Sequence, residues 1–415
     1  MLSSKEGTVF WLSQLVMLPA LIFGALFGFH QVNQMPTIPT LNKHPRAVRP
    51  QFDFPLVISD QQLEVVLYKL RPRFATLPPK TNFVDHALRM WGAKIDFGDD
   101  SLDGTTMRQL LTDNRLFQEV WGGKELPLLT ENKYGIHVRM QEGRSTVSHM
   151  DHLLGSLAEV GTPLDFQVVS ENQMGTMLDL LKHASRTFSL NQREYEWTAL
   201  ALAFYATNGD PWFTTEGQQI DFDALAKRIM RQQQPEGVCY GQHRLYTLAL
   251  MLRIDSQMAA ESADQSRLLS PESRQQVLDY LGRTTRIAFR TQTPEGYWDG
   301  NWPDTSVPVP DPETDPLSRR ILATGHMLEW WAMAPAELHP PRESIVRAGQ
   351  WLTRVIIEMD ESRVQTNYTF LSHAGRALAL WRRKLPDEAF RPRVWSDPDA
   401  PMLEFEPESA VTLSE

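Results

Sequence analysis

From residue 224 to residue 383 large apolar side chains recur three or four positions apart, the period of a helix with one buried stripe. The segments are ALAKRIMRQQ (224–233), YTLALMLRI (246–254), RQQVLDYLGRTTRIAF (274–289), RILATGHMLEWWAMA (320–334), ESIVRAGQWLTRVIIEM (343–359) and LSHAGRALALWRR (371–383). Strand-like alternation is scarce, LDFQVV (164–169) being the best short candidate. Ser270 can cap a helix that has Pro271 at its first position, and Pro340 with Pro341 separates two others. The pattern predicts an all-α body.

Two kinds of helix alternate along it. ALALAF, TLALML and ALALW lack a broad charged face and read as buried on most sides, whereas SRQQVLDYLGRTTRIAF (273–289) carries charge on one side and reads as an outer helix. Polar residues stand near the starts of the buried kind: His152, Glu196, His243, His326 and His373. Their gaps are 44, 47, 83 and 47 residues, and the long gap spans the loops 255–270 and 299–316. A unit near 45 residues fits two helices with their connections. A phrase recurs with it, since QPEGVCYG (234–241) and QTPEGYWDG (292–300) follow helices in the same way. Hairpins with such buried partners predict a closed α/α toroid, in which all inner helices run one way and bring the five polar residues to one mouth.

The ends differ from the body. Residues 9–29, VFWLSQLVMLPALIFGALFGF, are uncharged and nearly all apolar. About 20 helical residues cross a ~30 Å hydrocarbon core, so residues 1–32 are expected to form a single-pass membrane anchor; Lys43, Arg46 and Arg49 beyond it lean towards a cytoplasmic body, whereas a short N-terminal anchor on an otherwise soluble domain leads to the expectation of a body on the exported side. The five prolines of 33–55 predict an extended linker. The toroid domain is expected over 56–384, with 56–145 adding hairpins or a cap, and 385–415 reads as an acidic tail.

Composition narrows the partners. The 415 residues carry 41 basic and 51 acidic side chains, a net charge of −10, without a Lys/Arg-rich run, which excludes the electrostatic footprint of a nucleic-acid binder. A single cysteine excludes an internal disulfide framework and any multi-cysteine zinc motif.

QTPEGYWDGNW (292–302) resembles the Gln/Trp repeat of terpenoid cyclases and protein prenyltransferases, a likeness of repeat style over roughly 172–384. It implies α/α toroids of hairpins joined at a Gly–x–Trp turn. Zinc prenyltransferases hold their metal with an Asp, a Cys and a His, parts that here fall to Cys239 with His243, His326 or His373. The Asp-x-Asp-Asp acid of class II cyclases has no counterpart, because DFGDD (96–100) is wrongly spaced and precedes the repeats. Lanthionine cyclases share the toroid but need two zinc-binding cysteines. TGHMLEWW (324–331) is similar to the Gly-His-x-x-Glu-Trp segment of sugar 2-epimerase barrels.

The candidate chemistry follows. Cys239, His243, His373 and His152 are candidate zinc ligands, the field at a helix start keeping histidine neutral. His326 and Glu329 share a helix face as base and orienting carboxylate, or Glu329 is itself the acid/base group, and Asp151 is a further catalytic candidate. Trp298, Trp302, Tyr240 and Glu196 are candidates to contact a ligand. Against these stand bland alternatives: histidines that cap helices, a cysteine that packs as a small hydrophobe, tryptophans that fill the core. The expected function is therefore a membrane-anchored toroid that binds a small molecule or extended chain, isoprenoid or glycan, at its mouth, with zinc as the candidate cofactor. The competing expectation is a non-catalytic scaffold module of the cell envelope.

Overall fold

Helix starts follow local chemistry. Ser59 accepts from the backbone N–H of Gln62, Asp221 from Ala224, Ser270 from Ser273 and Asp315 from Ser318, each satisfying an orphan donor of a first turn. Pro271 and Pro316 occupy first helical positions, where no N–H is needed.

A computed structural model describes residues 15–23, 35–74, 78–122, 126–140, 149–192, 194–232, 237–261 and 266–391. The helices are α1 (Asp60–Lys69), α2 (Thr81–Trp91), α3 (Gly104–Thr112), α4 (Asn114–Trp121), α5 (His152–Glu159), α6 (Met177–Thr187), α7 (Glu196–Tyr205) and α8 (Phe222–Arg231). They continue as α9 (Gln242–Glu261), α10 (Pro271–Thr291), α11 (Pro316–Met333), α12 (Arg342–Glu358), α13 (Glu361–Thr366), α14 (Tyr368–Leu380) and α15 (Pro386–Ala389). Only small two-stranded antiparallel hairpins interrupt them among the described residues, one of which uses Gln167–Val169, within the segment the alternation marked. The protein is all-α.

Six helices form a closed ring. α2 packs on α5, α5 on α7, α7 on α9, α9 on α11, α11 on α14, and α14 returns to α2. These are the helices without a polar face: every residue of α7 is buried, as are Ile321–Met333 of α11 and Leu371–Leu380 of α14. Helices buried on all sides need small residues where they cross. At Gly325 an added Cβ would lie 3.0 Å from the backbone N of Ala374, and this close approach of α11 to α14 sets the next residue of one, His326, against the previous residue of the other, His373. Around the ring lie α1, against α12 and α14, then α3 on α2, α6 on α7, α8 and α10 on α9, and α12 on α11. α1 to α4, the described helices within 56–145, therefore belong to the ring and its outer layer.

The recurring phrase is a structural turn. Gly237 and Gly296 both take positive φ, 99° and 105°, the first five residues before the inner helix α9 and the second in the loop that leads from α10 to α11. Gln292 donates to the carbonyls of Gly296 and Ser344, and the Trp298 indole donates 2.8 Å to the Ala288 carbonyl, which ties the turn to α10 and to the following hairpin.

The described ends correct three expectations. No helix among the described residues is long and apolar enough to cross a membrane, which overturns the single-pass anchor and the exported body argued from it. Of 9–29 only 15–23 is described, as an exposed helical segment, and nine residues span about 14 Å at 1.5 Å each; the rest of 9–29 lies outside the described residues. Residues 35–55 are no free linker. The backbone N–H groups of Asn42, Arg46 and Phe54 donate to the carbonyls of Tyr205, Phe204 and Trp381, and Arg253 of α9 donates to the Arg49 carbonyl. The stretch thus straps the C-terminal ends of inner helices, where carbonyls lack intrahelical partners. Proline hides this from a periodicity argument, since the strap borrows its partners from other elements. Residues 385–391 also join the body, with Phe390 edge-on to Trp91 and Phe97; 392–415 lie outside the described residues.

Candidate metal centre

The ring axis is filled by polar side chains in two layers. The upper one is a circle of six imidazoles. Successive ring centroids are 3.8 Å apart from His326 to His373, 5.2 Å to His86, 4.4 Å to His152, 5.7 Å to His149, 5.0 Å to His243 and 4.8 Å back to His326. α7 contributes Trp197, edge-on to His152 and His243. One turn further along the same helices lies the lower layer: Arg89, Tyr246, Glu329 and Arg376, each three residues after a histidine, and Glu159, seven after His152. Arg89 bridges Glu159 and Glu329, Arg376 bridges the same pair, and the Tyr246 hydroxyl donates to Glu159. Two guanidinium groups thus balance two carboxylates, which makes a largely buried charged layer tolerable.

The lower layer orients the upper. His326 and His373 both turn Nδ1 towards Glu329 Oε2, at 3.3 and 3.0 Å. His152 turns Nδ1 to Asp85 Oδ2 at 2.6 Å, and His86 turns Nδ1 to the Asn82 carbonyl at 2.8 Å. We assign the proton of His86, His152 and His326 to Nδ1, because each faces an acceptor there, whereas His373 Nδ1 lies between the Glu329 carboxylate and the Arg89 guanidinium, a donor 3.2 Å away, and is given no tautomer. Nε2 of His86, His152 and His326 is then a lone pair, and it, like Nε2 of His243 and His373, is buried without a hydrogen-bond partner. Three buried acceptors among these rings offer one another no donor, so the arrangement calls for a cation or donors from outside the chain.

Electrostatics favours neutral rings. Burial, reinforced by neighbouring charge, holds His86, His152, His243 and His373 well below the ordinary histidine range and lowers His326. Burial alone would raise Glu329, but Arg89 and the two histidines overwhelm it and hold the carboxylate well below its usual range. Burial pushes Asp85 up to about 6. Three sets of donor atoms lie within 4.8 Å of one another: His243, His326 and His373; His149, Cys239 and His243; Asp85, His86 and His152. Buried imidazole and carboxylate donors with a half-buried thiol, three of the imidazoles facing a carboxylate with Nδ1, suit a late first-row transition ion such as zinc or copper.

The predicted residues divide clearly. His152, His243, His326, His373 and Cys239 come together, although His152 belongs with Asp85 and His86 rather than with Cys239. Cys239 is carried by two successive residues in the left-handed region, Cys239 (φ 48°) and Tyr240 (φ 57°), strain of the kind found at functional sites, and burial raises its thiol above the ordinary range. Glu329 is at the centre, but as a locked carboxylate. Asp151 lies beside the circle, accepting from the Thr198 hydroxyl, with its carboxyl raised by burial. Glu196 folds back on the start of its own helix, accepting from the Tyr195 N–H at 2.8 Å, and Trp197 takes the place expected for it. Trp298 and Trp302 are fully buried with both indoles donating to carbonyls, so they are core, which corrects the expectation that they face a cavity. Tyr240 is buried too, its hydroxyl bonded to Asp311.

Asp85, His86 and Arg89 were not anticipated. The signal was present, for HALR (86–89) matches HRLY (243–246), HMLE (326–329) and HAGR (373–376) as histidine with a polar partner one turn on. A surface cleft of about 1060 Å³ beside Phe74, Leu102 and Val120 lies among other residues, and it brings together no comparable donors. Comparison with known proteins returned no matching family model, no similar curated protein and no similar solved structure.

Proposed function

We propose that this protein is an α/α toroid, built like the terpenoid cyclase and prenyltransferase fold group, whose axis holds a late first-row transition ion and whose mouth takes a small molecule. The observation that carries this reading is the convergence of unpartnered, buried Nε2 atoms on one axis while their Nδ1 atoms are held by Glu329, Asp85 and a backbone carbonyl. His243, His326 and His373 would hold the ion, with Cys239 and His149 beside it towards the 238–241 turn. Three protein ligands leave a coordination position open, where the ion supplies Lewis acidity towards a bound ligand or water.

The chain's own residues do the rest. Arg89 and Arg376 keep Glu329 ionised, Glu329 orients His326 and His373, and Trp197 shields the ring on the α7 side. A carboxylate held by two guanidinium groups is a poor proton donor, which disfavours a glycan-processing site using Glu329 as its acid. The isoprenoid expectation loses support with the burial of Trp298 and Trp302.

Metal analysis of the purified full chain tests the reading. Bound zinc, copper or nickel that falls at least tenfold in affinity in His243→Ala and His326→Ala supports it. Absence of metal, with both variants behaving as the parent, would favour the scaffold alternative.

A further inference from the structure

The histidine circle has two halves. His243, His326 and His373 come from α9, α11 and α14, whereas Asp85, His86 and His152 come from α2 and α5 across the axis, and the two sets share no residue. All three of the second set are buried, at 0%, 2% and 0% exposure. Each also has an atom without a partner: Asp85 Oδ1, His86 Nε2 and His152 Nε2. His86 stacks on His152 with only 15° between the rings, so the pair forms one wall of the axis. The halves adjoin where His86 meets His373, with ring centroids 5.2 Å apart.

One ion would satisfy the first set and leave the second as it stands, with a carboxylate oxygen and two imidazole nitrogens still unpaired in the interior. Buried polar atoms in that number are rare without a partner. The second set also differs in chemistry, because it includes a carboxylate among its donors. Resting on the metal-binding reading above, we infer that the axis holds two ions, the second a divalent first-row cation taken by Asp85, by His86 through Nε2 and by His152 through Nδ1, which gives up its hydrogen bond to Asp85 Oδ2 for the ion. Its mixed imidazole and carboxylate donors admit harder ions, manganese or iron, as well as zinc and copper.

The test is metal stoichiometry of the full chain after removal of bound metal and reloading with Zn²⁺, paired with electron paramagnetic resonance after loading with Cu²⁺. The expected result is two equivalents of zinc per chain, falling to one in His86→Asn and in the nearly isosteric Asp85→Asn, and to one in His326→Asn. With two equivalents of Cu²⁺ the parent should show a broadened or diminished signal from interacting ions, and His86→Asn a sharp isolated one. A parent that binds one equivalent, or two that both survive His86→Asn and Asp85→Asn, overturns the second site while leaving the first. A parent that binds none overturns the metal-binding reading as well. If either variant fails to fold, the parent's stoichiometry and copper signal still decide.

Discussion

Glu329 shows how much one side chain can hold together. It accepts from Arg89 at 2.9 Å and Arg376 at 2.6 Å through one oxygen and faces His326 and His373 with the other. Glu329→Gln keeps the shape but leaves two buried guanidinium groups short of a counter-charge, and breaking a buried pair costs about 3–5 kcal/mol. Chemical denaturation should show a loss of that order, with metal affinity reduced about 10–100-fold because the imidazoles lose their orienting acceptor. A second prediction concerns a pair away from the axis. Burial and the His137 ring, 4.6 Å away, push His183 down to about 4, with Asn132 and Thr187 its other neighbours. The unfolded chain, with histidine near 6.5, binds more protons than the folded one between those values, so this contribution is fully present above about pH 6.5 and is lost as pH falls towards 4. Denaturation at pH 5 and pH 7.5 should show a smaller difference in His183→Gln than in the parent; an equal difference would count against it. At this scale His152, His243, His326 and His373 were legible because each opens or punctuates an apolar helix. His86 was not, since it lies 66 residues before His152, outside the 45-residue spacing that drew attention to the others.

At the scale of elements, the inner helices were readable because burial on every side leaves no polar face, a property that composition displays directly. The Gln/Trp phrase was readable as a repeat but misleading as a binding surface. Its tryptophans and Gln292 fasten one hairpin to the next, which is work that any member of such a ring needs irrespective of ligand. Gly296 is the tightest point of that turn, with φ at 105° and an added Cβ only 2.6 Å from the Arg347 carbonyl oxygen. Gly296→Ala should therefore destabilise by at least about 1–3 kcal/mol through backbone strain, seen as a lower Tm. An unchanged Tm would mean the turn can relax. The strap at 35–55 was read as a linker because its hydrogen bonds run to α7, α9 and the end of α14, and long-range pairing leaves no mark on local periodicity. The apolar run near the N-terminus was read from hydropathy alone, and the described helix there, 15–23, is too short to span a bilayer.

For the whole molecule, closing six hairpins into a ring explains how residues between positions 85 and 376 become neighbours: every inner helix but α7, which brings Trp197, delivers a histidine at one level and a charged or hydroxyl group one or two turns on. The circle gathers six imidazoles in the interior, where burial suppresses the basicity of His86, His152, His243, His326 and His373 and leaves nitrogen lone pairs for a cation. The convergence of four of the predicted histidines followed from period and helix type, whereas the two-layer arrangement needed the first hairpins, whose sequences differ in spacing from the rest. X-ray absorption at the metal edge of the purified full chain tests the central claim most directly. The account predicts nitrogen scatterers at about 2.0–2.1 Å with the outer-shell pattern of imidazole. Scattering from oxygen alone, with no imidazole pattern, would contradict it.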